Sequence, residues 1–418
     1  MKSEEKFLYI KELEEWFEKL KSEGDKQIIF KNFKLFDTSF IEKDNFHNKV
    51  IPEKFLSGLC QKLKDNKFIL YGAGIGGFLF FNAFCKKYNL YPFAIVDKNF
   101  KGQEKYFDIL AYSPLEFNFT SDLFVVITIT KPFYVKEIIE FLSKFISLEK
   151  IITIPPEIWG YLYLSLSGFK RKDNYYLKPV KFYLENKDKI IKTLKFFHDK
   201  TSLELYIKLI KSYTSGNFYS LPFSPADEQY FPRDINLLKG YRRFIHCGAF
   251  IGDTIRQLMQ IIGKIEALVC FEPDIINFNE LKKFLNYYAK EIADYIIAFP
   301  CAVWKENTFL NFTNGMGGGS CIDENGEFMV YGVAIDDVLP NFNPTYITMD
   351  IEGAELEALE GTKKTIKECL PDLAISVYHK PEHLWEIPLY IKSLNPSYKF
   401  FLRNYTGGIL ETILYCTM

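Results

Sequence analysis

The stretch Phe244-Ile245-His246-Cys247-Gly248-Ala249-Phe250-Ile251-Gly252-Asp253-Thr254 constrains this chain more than any other. Phe244 and Ile245 suit a buried central strand. Gly248 permits a sharp turn where a side chain would obstruct a ligand, and Gly252 permits a second close approach. Asp253-Thr254 opens a helix continued by Ile255, Leu258 and Met259. A strand, a glycine turn and a helix in that order set a helix N-terminus beside a small molecule at the carboxyl edge of a sheet. Two further apolar runs end in acids. Ala267-Leu268-Val269-Cys270-Phe271 ends in Glu272, twenty residues after Gly252, and Tyr346-Ile347-Thr348-Met349 ends in Asp350. The pattern is that of an α/β fold.

Six segments in order carry a family resemblance: IHCGAFIGDT, CFEPD, VAIDDVL, ITMDIEGAELEALEG, LAISVYHKPEHLWEIP and FFLRNYT. Together they resemble the FkbM family of S-adenosylmethionine-dependent O-methyltransferases over roughly 241–418. The resemblance implies a seven-stranded methyltransferase sheet ending in an antiparallel hairpin. It also implies S-adenosyl-L-methionine as cofactor and a sugar or polyketide-type hydroxyl as acceptor. Family members commonly have Asp where this chain has His246 and His383.

At 418 residues the chain exceeds one ordinary core, so two or three domains are expected. A helical extension covers 1–66, with Phe7, Leu8, Ile10, Leu13, Trp16, Phe17 and Leu20 at helical spacing. A Rossmann-like accessory domain covers 67–155. There the strand Lys67-Phe68-Ile69-Leu70-Tyr71 runs directly into Gly72, Gly74 and Gly77 in GxGxxG spacing. Further strands read at 93–96, 123–129 and 150–154, and Asp97 follows Gly77 by twenty residues. One reading is a nucleotide or nucleotide-sugar site; the other is glycines that only let helix and strand pack closely. The unit lacks the second half of a full dinucleotide fold.

A mainly helical linker follows over 156–240. Within it, Gln229-Tyr230-Phe231-Pro232 is either a lid over the cofactor or an aromatic plug. The second α/β domain covers 241–418, with strands at 243–247, 267–271, 296–299, 345–349, 372–378, 397–402 and 411–416. Short additional strands fall at 308–313 and 328–335. Thr406-Gly407-Gly408 turns the last hairpin.

Candidate cofactor residues are Gly248, Ala249, Gly252, Asp253, Thr254, Glu272, Pro273 and Asp350. Glu272 would accept the ribose hydroxyls and the glycine backbone would meet the methionine portion, while Thr254 reads as a helix cap. Asp350 and Glu352 are assigned to the transfer site, Asp350 for positioning and Glu352 for substrate contact, whereas Glu355 suits a helix N-terminus. His379, at the end of another strand, is the candidate proton acceptor. Arg403 and Tyr405 are candidate substrate contacts. The run Asn314-Gly315-Met316-Gly317-Gly318-Gly319-Ser320 reads as a mobile loop near the site. Asp336-Asp337 and Asp350 show no spacing that compels a metal.

A net charge of −1 gives no electrostatic case for nucleic acid or anionic membrane. Eight scattered cysteines without a CxxC pair suit reduced thiols in a cytoplasmic protein. No signal peptide or membrane-length apolar run is visible. The activity that the resemblance implies is O-methylation of a sugar or polysaccharide precursor, and the aromatic helical linker makes a homodimer the expected assembly. Its rivals are a nicotinamide-dependent oxidoreductase using the glycines at 72–77 and a non-catalytic scaffold with a decayed cofactor pocket.

Overall fold

The computed structural model describes residues 3–23, 50–101, 104–129, 132–154, 158–159, 162, 178–215, 221–313, 320–322, 326–405 and 410–418. It divides into two compact units. One comprises Met1–Lys31 with Asn174–Met418, the other Asn32–Asp173.

The smaller unit holds six strands: β1 (Phe68–Tyr71), β2 (Ala94–Val96), β3 (Glu104–Tyr106), β4 (Ile109–Tyr112), β5 (Phe124–Ile127) and β6 (Ile151–Thr153). Their order is β3-β4-β2-β1-β5-β6, parallel throughout except for the β3–β4 pair. β1 reads as an unbroken apolar run because both of its faces are covered. Phe68 and Leu70 enter one core, Ile69 and Tyr71 the other.

The larger unit carries β7 (Arg243–Cys247), β8 (Ile265–Phe271), β9 (Ala293–Phe299), β10 (Ala302–Val303), β11 (Thr308–Thr313), β12 (Cys321–Ile322), β13 (Phe328–Val333), β14 (Tyr346–Met349), β15 (Asp372–Ser376), β16 (Lys399–Asn404) and β17 (Thr412–Thr417). Seven of them form a sheet in the order β16-β17-β15-β14-β7-β8-β9. Only β17 runs against its neighbours. This is the expected sheet with its closing hairpin. Residues 406–408, read as the turn, lie outside the described residues, but Asn404 pairs with Thr412. A separate four-stranded sheet, β10-β13-β11-β12, accounts for the short additional strands.

The helical segments are grouped differently from the sequence reading. Ser3–Glu23 belongs with the larger unit, Val50–Lys64 with the smaller, so the stretch 1–66 is not one extension. The helices Val180–Glu185, Lys187–Leu194 and Lys200–Ser215 are not a free-standing linker. Their apolar faces, including Ile190, Leu194, Leu203, Tyr206 and Ile210, join Leu13, Phe17 and Leu20 in the core beneath Trp385 and Phe400. Polar ties fix the layer: Trp16 Nε1 donates to Thr214 Oγ1 at 3.0 Å, and Leu402 N donates to Ser202 Oγ at 2.8 Å.

Candidate functional site

Strands β7, β8 and β14 are adjacent and parallel, so the residues after Cys247, Phe271 and Met349 emerge together. The backbone closes this junction. Asp350 N donates to Cys247 O at 3.1 Å, and both Gly248 N and Ala249 N donate to Phe271 O at 3.0 Å. Gly248 has φ +82, and a Cβ there would lie 1.9 Å from the Asp350 carbonyl oxygen. Gly252 has φ +92, and its Cβ would meet the Phe284 ring at 2.6 Å. Both glycines are thus required by the protein's own packing.

Glu272 is buried and grips the glycine loop. Its Oε2 accepts from Phe250 N at 2.8 Å and its Oε1 from Asp274 N at 2.9 Å. Burial pushes its carboxyl up to about 7, against the opposing pull of those backbone donors. Asp274 in turn caps the helix Ile275–Ile292 through Ile276 N and Asn277 N, and receives Ser320 Oγ at 2.9 Å. Gly248, Glu272, Pro273, Asp350 and Glu352 all line a cavity of about 70 Å³. Ala249, Gly252, Asp253 and Thr254 do not. Ala249 faces the core, and the helix Asp253–Ile261 starts at Gly252 without a side-chain cap. Thr254 is therefore not the cap that its sequence position suggested.

The turn after β14 gathers the charged groups. Glu352 (φ +55) and Gly353 (φ +98) bend the chain into the helix Glu355–Glu360. Glu355 is fully buried, and its Oε1 accepts from Ile351 N at 3.0 Å and Gly353 N at 3.3 Å. The same oxygen lies 2.8 Å from His379 Nδ1. His379 Nε2 stands 3.4 Å from Asp350 Oδ1 and 3.7 Å from Glu352 Oε2. His383 Nδ1 is 3.2 Å from Glu355 Oε2. Asp350 accepts from Tyr230 Oη at 2.6 Å and from Tyr378 Oη at 3.2 Å.

Burial alone would depress the His379 imidazole, but Glu355, Glu352 and Asp350 outweigh it and raise it to about 10. Burial likewise opposes ionisation of Glu355, yet His379 and His383 hold it well below the ordinary carboxylate range. The three carboxylates therefore favour the protonated imidazole, which counts against His379 as the proton acceptor.

Two more expectations change. Arg403 is 2% exposed, and its guanidinium is engaged by Asp234 Oδ2 at 2.8 Å, Ser202 Oγ at 3.1 Å and Asp199. It fastens β16 to the helical layer. Tyr405 Oη shares a 2.6 Å hydrogen bond with Tyr415 Oη in the core. Neither is placed to touch a substrate. His246 is buried and neutral, its pKa lowered by burial to about 4, with Nδ1 2.7 Å from Thr348 Oγ1 on the next strand. His383 supports Glu355. Both departures from the family pattern thus serve packing and the charge cluster.

The segment 229–232 is a plug that also reaches the site. Phe231 enters the core and Tyr230 N donates to Tyr415 Oη at 3.0 Å, while the Tyr230 hydroxyl holds Asp350. The glycine-rich run 314–319 lies outside the described residues. Sequence reasoning missed the part of the wall formed by Cys301, Ala302 and Val303. These residues follow β9, so the strand-end argument applied to a third strand would have found them.

In the smaller unit, Gly72 has φ +121 with Ile129 Cδ1 2.6 Å from its Cβ position, and a Cβ on Gly77 would meet Gly72 O at 2.2 Å. Asp97 Oδ2 accepts from Ala73 N at 2.7 Å and its Oδ1 from Asn99 N at 2.9 Å. Two of the three glycines and the acid are accounted for by the loop itself.

Residues 246–414 match the family model for the methyltransferase FkbM domain. The solved structure of methyltransferase FkbM from Methylobacillus flagellatus KT is similar at a TM-score of 0.54 and 20% identity, covering 88% of this chain and 99% of that one. Aeropyrum pernix fibrillarin, solved with natively bound S-adenosyl-L-methionine, gives a TM-score of 0.30 and 8% identity over 46% of this chain and 73% of that one, too low to argue from. No curated protein matches the chain. Among the described residues no helix is long and apolar enough to cross a membrane.

Proposed function

We propose, from the match of residues 246–414 to the FkbM methyltransferase domain, that the chain transfers a methyl group from S-adenosyl-L-methionine to a hydroxyl of a sugar or polysaccharide precursor. The observation that carries this reading is the convergence of Gly248, Glu272, Asp350 and Glu352 on one cavity at the carboxyl ends of β7, β8 and β14. Ligands of open α/β sheets bind there.

The donor set fits the cofactor. Glu272 keeps lone pairs on a carboxylate fixed by Phe250 N and Asp274 N, as a ribose diol needs. Asp350 supplies negative surroundings that favour a sulfonium, whereas burial raises the Glu352 carboxyl to about 8. When bound, S-adenosyl-L-methionine supplies an electrophilic methyl group. The chain's own residues hold the acceptor in line and keep water out. Asp350, fixed by the hydroxyls of Tyr230 and Tyr378, positions, and Glu352 offers acceptor atoms to a polyol.

At about 70 Å³ the cavity is much smaller than ordinary ligand pockets of roughly 300–1,000 Å³. The β12 wall of this cavity is tied through Ser320 to Asp274.

Calorimetry of the full chain with S-adenosyl-L-methionine and, separately, with NAD tests the reading. Binding of the first, weakened at least tenfold in Glu272→Ala, is expected. Binding of NAD alone would favour the oxidoreductase, and binding of neither the scaffold.

A further inference from the structure

We infer that His379, Asp350 and Glu352 form a site for one divalent cation of the manganese or zinc class, with Glu355 orienting the histidine. Asp350, Glu355 and His379 each bring a potential ligand atom within 4.8 Å of the others. A cluster of acids alone would not make a site. The second observation is His379 itself: it is 2% exposed, and its Nε2 has no hydrogen-bond partner. That nitrogen is aimed between Asp350 Oδ1 at 3.4 Å and Glu352 Oε2 at 3.7 Å.

The other ring nitrogen explains the arrangement. Nδ1 lies 2.8 Å from Glu355 Oε1, which Ile351 N and Gly353 N also hold. Metal-ligating histidines commonly donate their second N–H to a carboxylate in this way, which fixes the ring, and an ion entering on the other side displaces the Nε2 proton and takes its lone pair. Asp350 is fixed too, by the hydroxyls of Tyr230 and Tyr378. Glu352 is brought in by backbone at φ +55, an uncommon conformation for a side chain of its kind.

The spacing suits an ion. Ligands bound at about 2.1 Å sit roughly 3–3.5 Å from one another. The separations of 3.4 and 3.7 Å from His379 Nε2 to the two carboxylates are close to that range. One imidazole with two carboxylates suits manganese or zinc better than calcium, which takes oxygen ligands. Three protein ligands leave coordination positions open on the side of the cavity that Asp350 and Glu352 line. An acceptor hydroxyl held there would become a stronger acid and release its proton to solvent as the methyl group is transferred. That last role rests on the methyltransferase reading; the cation site does not.

The test uses the full chain, treated with chelator and dialysed, and titrated with MnCl2 or ZnCl2. Free Mn2+ is followed by its electron paramagnetic resonance signal and Zn2+ by calorimetry. One ion of at least one of the two metals should bind per chain and raise the melting temperature. Asp350→Asn and His379→Gln should each weaken binding at least tenfold, while Asp337→Asn should leave it unchanged. Asp350 is partly exposed, so its variant is the informative one should His379→Gln fail to fold. Failure of both metals to bind at millimolar concentration, or undiminished binding in Asp350→Asn, overturns the site. Because no cofactor is present in the titration, loss of the cation site and loss of S-adenosyl-L-methionine binding are read independently.

Discussion

The two glycine loops of this chain follow one recipe. In each, a strand runs into a left-handed glycine and the next strand ends in an acid that accepts one backbone N–H of the loop and one from two residues beyond itself. Asp97 holds Ala73 and Asn99; Glu272 holds Phe250 and Asp274. In each, a glycine hydrogen stands where a Cβ would strike a carbonyl, Gly72 O against Gly77 and Asp350 O against Gly248. The glycine-and-acid pair is therefore a brace in both places. What separates them is the third strand end. Only the loop at 248–252 touches a turn bearing Asp350, Glu352 and Glu355, with His379 beside it. A phosphate-loop signature marks a way of packing a helix on a strand, and chemistry enters with the groups that converge on it.

The comparison breaks most visibly at Glu355. Glu355→Gln removes the buried charge that holds His379 Nδ1 and lies beside His383. The larger unit should lose about 3–5 kcal/mol in denaturant unfolding followed by tryptophan fluorescence. An unchanged midpoint would mean that the cluster is not held by this carboxylate. Gly248→Ala comes next. Its Cβ must displace the β14 turn and adopt φ +82, so a loss of about 2–4 kcal/mol is expected by the same measurement. A stable Gly248→Ala protein that has lost ligand binding would return this glycine to the role of ligand clearance.

Glu272 tests whether the brace carries charge for function. Its folded carboxyl is raised to about 7 from an ordinary value near 4.5. A raised acid binds its proton more tightly when folded, so its contribution to stability falls as pH climbs from about 4.5 to 7 and stays low above. The fall is up to about 3 kcal/mol, and Glu272→Gln should flatten that arm of the profile. A cationic cofactor favours the ionised form. Affinity for S-adenosyl-L-methionine should rise with pH up to about 7 and then level off, as read by calorimetry between pH 6 and 8. A flat affinity profile would remove Glu272 from cofactor binding.

The sheet was legible because its strands are apolar on both faces and end in turn residues or acids. β7 and β11 lie where the pattern placed them. The β3–β4 hairpin was not, since its turn uses Phe107 and Asp108 at positive φ where glycine is the usual signal, and Glu104 and Lys105 are exposed. Helical periodicity exposed the apolar faces of Leu203, Tyr206 and Ile210 but not what covers them, so a packed layer read as a linker. The strand-end argument worked for Glu272 and Asp350, which follow adjacent parallel strands. It failed for Arg403, which lies within the edge strand β16 and faces Asp199 and Asp234. For His379 the position was legible, but its role depends on three carboxylates brought in by folding, and spacing does not report that.

The smallest effect sharpens the comparison most. Gly74 is the one glycine of its loop with nothing within 4 Å of a Cβ position, and its φ of −70 suits any residue. Gly74→Ala gains from a stiffer unfolded chain and loses a little at a helix start, so stability should change by less than about 0.5 kcal/mol. With Gly248→Ala it forms a matched pair: the same substitution, one site filled by the protein and one open. Open space at a glycine is also where a ligand backbone would approach. A melting shift of the wild-type chain with NAD or a nucleotide sugar, abolished in Gly74→Ala, would restore the nucleotide reading to the smaller unit. Equal melting of both proteins with and without those ligands leaves its loop a brace alone, and leaves the chemistry to the carboxylates gathered at β14.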